Sequence, residues 1–354
     1  MRYFFVCLIL LGVFVRVVIH YYKRVDFPDG TVVRIKGSIL TETIKFDKSQ
    51  YFVFRGYKIY IPRYPEVNYG DYLEIEGVVE GKSLKNAKIL KQESSDKILI
   101  GVRNRLIYFF QKSLPYQHAG LIAGVVLGSK EALDSAFWQR LKETGTVHVV
   151  VASGMNVSIV ANFLISLFAL VFSRRKAIFF ALLGIWAYSF LSGFDAPIIR
   201  ASFMGSLTFM AQGLGRRYFA ERALISTALV MIFINPGWLT DIGFILSFVA
   251  TGSILLLNDF FVRVFRKVPS VLRGDLSSTL SAQIGVAPIL FVSFGQFNIL
   301  SPLYNLAVLW TVPFMTLIGM CAGIIGLIYV PLGRLILLLT YPFTSWFIFC
   351  TNIG

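Results

Sequence analysis

Side chains able to bind, relay or coordinate gather in four blocks of an otherwise apolar sequence. The first is KETGTVHVVVASGMN at 142–156, which carries Gly145, His148, Ser153, Gly154 and Asn156. The second is GFDAP at 193–197, with Asp195, followed by Arg200 and Ala201. The third, DIGFILSF at 241–248, opens on Asp241. The fourth holds Gln283 with Pro288, then Gly295, Gln296 and Phe297, then SPLYN at 301–305, ending on Asn305. Polar groups at membrane depth are costly and usually face a pathway or a partner. Gly145, Ser153 and Gly154 permit close backbone approach or an interrupted helix, which lets His148 and Asn156 face a wet cavity. Tight packing of small residues, with Ser and Asn bonding between helices, is the second reading. Asp195 and Arg200 also read as an ion pair at a helix end. An Arg200–Asp241 pair would be the more telling contact.

Bond-making chemistry has little to work with. The histidines are His20, His118 and His148, so neither HxH nor HExxH occurs. Cys7, Cys321 and Cys350 lie far apart in apolar runs, without metal-ligand or disulfide spacing. There is no triad, no usefully spaced carboxylate pair and no G-x-x-x-x-G-K-[ST] phosphate loop. The residues therefore give an enzyme little support, and no cofactor or metal is expected.

A second kind of site lies nearer the N-terminus. Residues 23–97 hold most of the acidic residues and alternate apolar with polar, as half-buried strands do. Val33 and Ile35 alternate with Arg34 and Lys36, and Leu73 and Ile75 with Glu74 and Glu76. Turn residues separate the runs at 28–30, 47–49, 55–56, 68–71 and 80–82. Five or six short strands in this length suit a small barrel resembling an OB-fold. Arg55, Tyr57, Lys58, Tyr60 and Arg63 interleave rings with cations, a pattern that stacks bases and tracks phosphates. The alternative is that half of the rings are barrel core and the rest ordinary strand residues.

The elements that position these groups follow from composition. The 354 residues are 56% hydrophobic and 15% charged, with mean hydropathy +0.69. Soluble domains carry more charge, so a water-soluble or disordered chain is excluded. Residues 3–22 form an apolar stretch without a cleavage site, read as an uncleaved anchor helix (1–22) with a cytoplasmic N-terminus. Residues 98–117 read as a basic amphipathic helix, with Ile98, Val102, Leu106, Phe109 and Phe110 on one side and Arg103 elsewhere. It lies flat on the membrane or serves as a plain linker. Within 118–354 the expected spans are 147–172, 177–194, 197–214, 223–235, 238–257, 280–294, 302–330 and 335–350. Two of these are too short to cross unbroken, and 119–128 reads as re-entrant. Arg174, Arg175 and Lys176, then Arg216, Arg217 and Arg222, then Arg263, Arg266, Lys267 and Arg273, then Arg334 mark every second loop. The positive-inside rule then places the β domain outside the cytoplasm. Much of the formal +15 is accounted for by these loops.

TGTVHVVVASGMNVSIV resembles the signature of the ComEC-type competence proteins. GFDAPIIRASFM, DIGFILSFVATGSILL and QIGVAPILFVSFGQFNILSPLYNLAVLWTVPF resemble further blocks of that family, in its order, over about 118–330. The resemblance implies a polytopic α-helical membrane protein with an N-terminal extracytoplasmic β domain resembling an OB-fold. It also implies an inner-membrane (plasma-membrane) channel component taking up single-stranded DNA in natural transformation. The implied partners are single-stranded DNA, membrane lipid, a DNA receptor, a helicase or motor, and a separate nuclease. Two features depart from the family pattern. Residues 23–117 contain no Cys for the loop disulfide of some members, and the C-terminal metallo-β-lactamase-like domain of longer members has no counterpart. The expectation is a short or incomplete member. A small-solute transporter and an envelope-binding membrane protein are the competing readings.

Overall fold

The computed structural model describes residues 2–22, 27–39, 43–45, 48–94, 98–130, 133–151, 153–294 and 300–352. Gly295, Gln296 and Phe297 of the fourth block lie outside them, as do Asp47 of one expected turn and the Cys7 side chain.

Helix α1 (Arg2–Tyr22) is followed by six strands: β1 (Val32–Ser38), β2 (Ile44–Lys45), β3 (Ser49–Phe54), β4 (Tyr57–Pro62), β5 (Tyr72–Glu80) and β6 (Ser83–Glu93). They form one sheet in the order β1-β5-β6-β4-β3-β2. Neighbours are antiparallel except β4 and β6, which run parallel from Lys58 opposite Ser83. Sequence-consecutive β1 and β2 thus lie at the sheet's two edges. The connection from Ser38 to Ile44 can span at most about 22 Å. A flat six-stranded sheet is about 24 Å wide. The sheet must curl, and a single core fills its inner face: Val33, Phe52, Phe54, Ile59, Leu73 and Ile75 among others. The alternation expected from sequence positions this core, with Ile59 and Ile61 inward and Lys58 and Tyr60 outward.

The helical part begins with α2 (Ile98–Ser113), α3 (Tyr116–Leu127), α4 (Ser135–Thr144) and α5 (Val147–Val150). It continues with α6 (Gly154–Ala169), α7 (Arg174–Leu191), α8 (Ala196–Gly213) and α9 (Ala220–Ile234). After a 3-10 turn, Pro236–Thr240, come α10 (Ile242–Val264), α11 (Ser270–Phe294) and α12 (Ser301–Val308). The last are α13 (Val312–Ile328), α14 (Val330–Leu338) and α15 (Tyr341–Asn352). Among the described residues four segments are long and apolar enough to cross a membrane: Val147–Ala169, Ile242–Val264, Leu272–Ser293 and Ser301–Ile328. A fifth is possible if α14 and α15, bent by 47°, count as one.

Eight spans were expected, and the difference has local causes. Helix α7 opens on three cations, α8 carries Arg200 and Gln212, and α9 has only 15 residues. At 1.5 Å per residue, α9 reaches about 22 Å. The span expected at 280–294 is longer than read, because Arg273, Gly274 and Asp275 are helical in α11. The run read as re-entrant is α3, whose residues 119–127 are all buried. Helix α2 packs into the main helical core through Leu106, Ile107, Phe109 and Phe110. Its buried face differs from the one read in sequence. Ile98 is 82% exposed, whereas Arg103 is 1% exposed.

The β domain and the helices share a seam. The Tyr69 hydroxyl donates to the Gly193 carbonyl at 3.3 Å, between α7 and α8. Arg103 stacks over the Tyr69 ring at 5.3 Å. Its Nη1 donates at 2.5 Å to the carbonyls of Leu127 and Leu191, at the C-terminal ends of α3 and α7. Helix α1 packs on α9, where Arg16 Nε donates to the Phe233 carbonyl at 3.4 Å, and beside the 236–240 turn.

Candidate functional site

The helix expected to be interrupted is interrupted. Helix α5 ends at Val150, Val151 and Ser153 are extended, and α6 starts at Gly154 without a side-chain cap. Beside this break is a cavity of about 510 Å³. His148, Ser153, Gly154 and Arg200 line it, so four of the sequence candidates meet at one place. Ser158, Met204, Thr208, Tyr218 and Thr251 complete its more polar wall.

Arg200 sits one turn into α8 and is fixed by α10. Its Nε donates to Ser247 Oγ at 2.5 Å and its Nη1 to Thr251 Oγ1 at 2.6 Å. Nη1 also lies 3.7 Å from Met204 Sδ, and the guanidinium stands 5.9 Å from the Phe248 ring centre. Gly154 makes this geometry possible. A Cβ there would meet Arg200 Nη2 at 3.1 Å and Ala201 Cβ at 3.3 Å. Small residues let α6 and α8 approach, as the packing reading had it, and the approach places a cation at the cavity wall.

The other candidates divide among different tasks. Asp241 caps α10, its Oδ1 accepting from Phe244 N at 2.7 Å; the guanidinium of Arg200 is held by hydroxyls. Asp195 occupies the N-cap position of α8. Gln283 lies on α11, which packs against α10. Asn156 is fully buried and donates to the Val125 carbonyl at 2.8 Å, bracing α6 against α3. Asn305 Nδ2 donates to Ser301 Oγ at 3.3 Å, and Ser301 donates to the Gly145 carbonyl at 3.4 Å. Gly145 takes φ +71° as the C-cap of α4, the left-handed conformation that glycine adopts without strain.

The base-stacking candidates do not share one surface. Lys58 and Tyr60 face outward on β4, and Tyr60 is 59% exposed. Tyr60 packs on Tyr51, ring centres 4.7 Å apart. Burial, and then Tyr60, push the Tyr51 hydroxyl pKa up. Tyr57 packs against the sheet's core. Arg55, at φ +52° in the β3–β4 turn, folds its guanidinium back over Gly37. Arg63 pairs with Glu66 at 3.6 Å and lines a separate cleft of about 380 Å³ with Asn68, Asn104, Tyr108 and Tyr116.

Sequence reasoning missed Arg103 and Thr251. Both left a signal. Arg103 lies three, four and seven residues before Leu106, Ile107 and Phe110, on the face that is buried. Ser247 and Thr251 are four apart, so their hydroxyls share a helix face.

The sequence profile of the family described as "Competence protein" matches residues 125–353, which holds the broken helix and the whole cavity. The chain belongs to the competence protein family. It is of the ComEC type. It is 26% identical over 283 residues to ComE operon protein 3 of Bacillus subtilis (strain 168), covering 79% of this chain and 35% of that protein. It is 30% identical over 210 residues to an uncharacterized protein of Aquifex aeolicus (strain VF5), covering 57% of this chain and 46% of the relative. The chain therefore spans less than half the length of these two curated relatives. No solved structure matches it.

Proposed function

We propose that the chain is the membrane-embedded part of a channel that takes up single-stranded DNA during natural transformation. The observation that carries this reading is the family match over 125–353, the stretch that builds the polar cavity. His148, Ser153, Gly154 and Arg200 form part of the polar route. Gly145, Asn156 and Asn305 brace the helices around it, and Asp195, Asp241 and Gln283 lie on the helices that frame it. The β domain is an OB-like receiver. Its parallel β4–β6 pair and the short link between its two edge strands support this. Lys58 and Tyr60, with Arg55 at the adjoining turn, offer the outward face, Tyr57 supports it from the core, and Arg63 leads toward α2.

The protein sits in the bacterial inner (plasma) membrane with the β domain outside. Tyr69 touches the 192–195 connection and α1 ends beside 235–241, and neither segment contains Lys or Arg. The basic loops belong to the other ends of the helices, as the positive-inside rule requires of the cytoplasmic side. The strand is delivered by a DNA receptor and drawn in by a helicase or motor. A separate nuclease removes the other strand, and lipid surrounds the helices.

Deletion of the gene in a transformable host is expected to abolish passage of labelled DNA into the cytoplasm while surface capture persists. Passage at the wild-type level would overturn the reading.

A further inference from the structure

We propose that the cavity at Arg200 is a binding site for one phosphate group, held between the Arg200 guanidinium and the first turn of α6. In the setting of the proposed function, on which this inference rests, the group is a phosphodiester of the passing strand.

The argument begins with charge. Among the described residues the Arg200 guanidinium meets neutral groups: Ser247, Thr251, Met204 and the Phe248 ring. No Asp or Glu among the described residues lines the cavity. A guanidinium away from water is costly unless a counter-charge or a full set of acceptors meets it. Two of its three nitrogens have acceptors. The third, Nη2, points at Gly154, where the absent side chain leaves the approach open.

The second positive feature meets it there. Helix α6 runs for 16 residues and starts at Gly154 with no side-chain cap, and Ser153, Gly154 and Met155 all line the cavity. The first amides of a helix lack intrahelical acceptors and carry partial positive charge. A guanidinium and a helix start of the same sign thus face one space, with no anion supplied by the cavity wall. A tetrahedral oxyanion satisfies both, through charge-assisted bonds to nitrogen on either side. Ser158, Thr208, Tyr218 and His148 supply further polar groups around the same space. At about 510 Å³ the cavity exceeds one phosphate, leaving room for the group's substituents. Hydroxyls orient Arg200 without neutralising it, so the site attracts a phosphate yet holds it by a few bonds, as conduction requires.

The test uses the full chain in zwitterionic nanodiscs, with thermal unfolding followed by tryptophan fluorescence. Inorganic phosphate is expected to raise the midpoint, and chloride at matched ionic strength is not. Arg200→Gln is expected to weaken phosphate at least about tenfold. Met204→Glu places a carboxylate one turn from Arg200, where Sδ now lies 3.7 Å from Nη1. It is expected to raise the midpoint without phosphate and to abolish the phosphate response. If Arg200→Gln does not fold, Met204→Glu carries the comparison. The absence of phosphate-specific stabilisation in the wild type overturns the proposal by itself, as does an unchanged response in either variant.

Competition identifies the source of the group. A short oligothymidylate that competes, when its uncharged methylphosphonate analogue does not, assigns the site to the strand. Competition by phosphatidylglycerol alone assigns the phosphate to a lipid headgroup and takes the site off the strand's route. The two readings fail separately. Uptake surviving gene deletion removes the channel and leaves the site, whereas a phosphate response surviving Arg200→Gln removes the site and leaves the channel.

Discussion

Arg103 and Arg200 both lie in the helical part of this protein, and their surroundings differ in kind. Arg103 is enclosed, with Nη1 donating to two backbone carbonyls and the Tyr69 ring over the guanidinium. Those carbonyls belong to the last turns of α3 and α7, where the helix dipole is negative. The fold thus supplies its own counter-charge, and the cation joins the β domain to the bundle. Arg200 is held by hydroxyls, a thioether and a ring, beside a cavity that no acidic residue lines among the described residues. The difference teaches how to tell a brace from a site inside a membrane domain. Chemical type is the same in both. What differs is whether the protein's own partial charges have already met the cation.

The largest expected effect breaks or upholds that contrast directly. Arg103→Met takes this donor from the buried Leu127 carbonyl and the partly buried Leu191 carbonyl. At roughly 1–3 kcal/mol for each orphaned group, the loss is expected in the lower half of about 2–6 kcal/mol. Arg200→Gln is expected to cost only about 1 kcal/mol. Thr251 keeps its own bond to the Ser247 carbonyl at 3.0 Å, and the glutamine amide retains a donor for the Ser247 and Thr251 hydroxyls. Unfolding midpoints of both variants in the same detergent measure the difference. Equal losses would mean that Arg200 is a brace like Arg103.

The contrast also marks where sequence reading stopped. Strand alternation was legible because it repeats every two residues, and the core formed by Ile59, Leu73 and Ile75 follows from it. The broken helix at Gly154 was legible from small residues and a polar cluster, and so was the approach of α6 to a neighbour. The partners of Arg200 were not, because Ser247 and Thr251 lie 47 and 51 residues away and only the packing of α8 on α10 brings them near. The sequence reading puts Arg103 off the apolar side of α2, because its type outweighs its place in the period. Helix ends were misjudged where charge and glycine coincide, as at Arg273 and Gly274, which continue α11.

Two glycines offer a finer version of the comparison. Gly145 holds φ +71°, and a Cβ there would lie 2.4 Å from Ser301 Oγ and 2.8 Å from its Cβ. Gly145→Ala therefore combines backbone strain with a collision, and about 1–3 kcal/mol of stability is expected to go. Gly154 has ordinary helical geometry, and its new Cβ would press on Arg200 Nη2 and Ala201 at 3.1 and 3.3 Å. Gly154→Ala is expected to cost under about 1 kcal/mol. It should still reduce the phosphate response, because the methyl occupies the approach to Nη2. Midpoints with and without phosphate separate the two effects. A Gly154→Ala protein with a full phosphate response would detach the start of α6 from the site.

The smallest effect concerns cations that are paired with a carboxylate in the ordinary way. On the β domain, Glu74 lies across from Lys36 in the β1–β5 register, and its Oε1 contacts Lys36 Nζ at 2.7 Å and Arg34 Nε. The hydrogen bond from Lys36, with those from Arg34 and the charges of both, holds the Glu74 carboxyl below its ordinary 4.5, against the opposing effect of burial. A carboxyl with a lowered folded pKa contributes stability that is complete above its unfolded value. That contribution is lost as pH falls through the folded one. Acidification from neutrality should therefore leave the β domain unchanged down to about the ordinary value and weaken it below. Glu74→Gln should flatten the response in that window. Lys36 and Arg34 are more than half exposed, so salt should shrink the effect. Measuring the midpoint against pH at low and high ionic strength checks this. An acid response unchanged by Glu74→Gln would place the sensitive carboxylate elsewhere. A response insensitive to salt would mean that a pair at the surface behaves like one in the interior, and the distinction between the two arginines would then need a basis other than solvent.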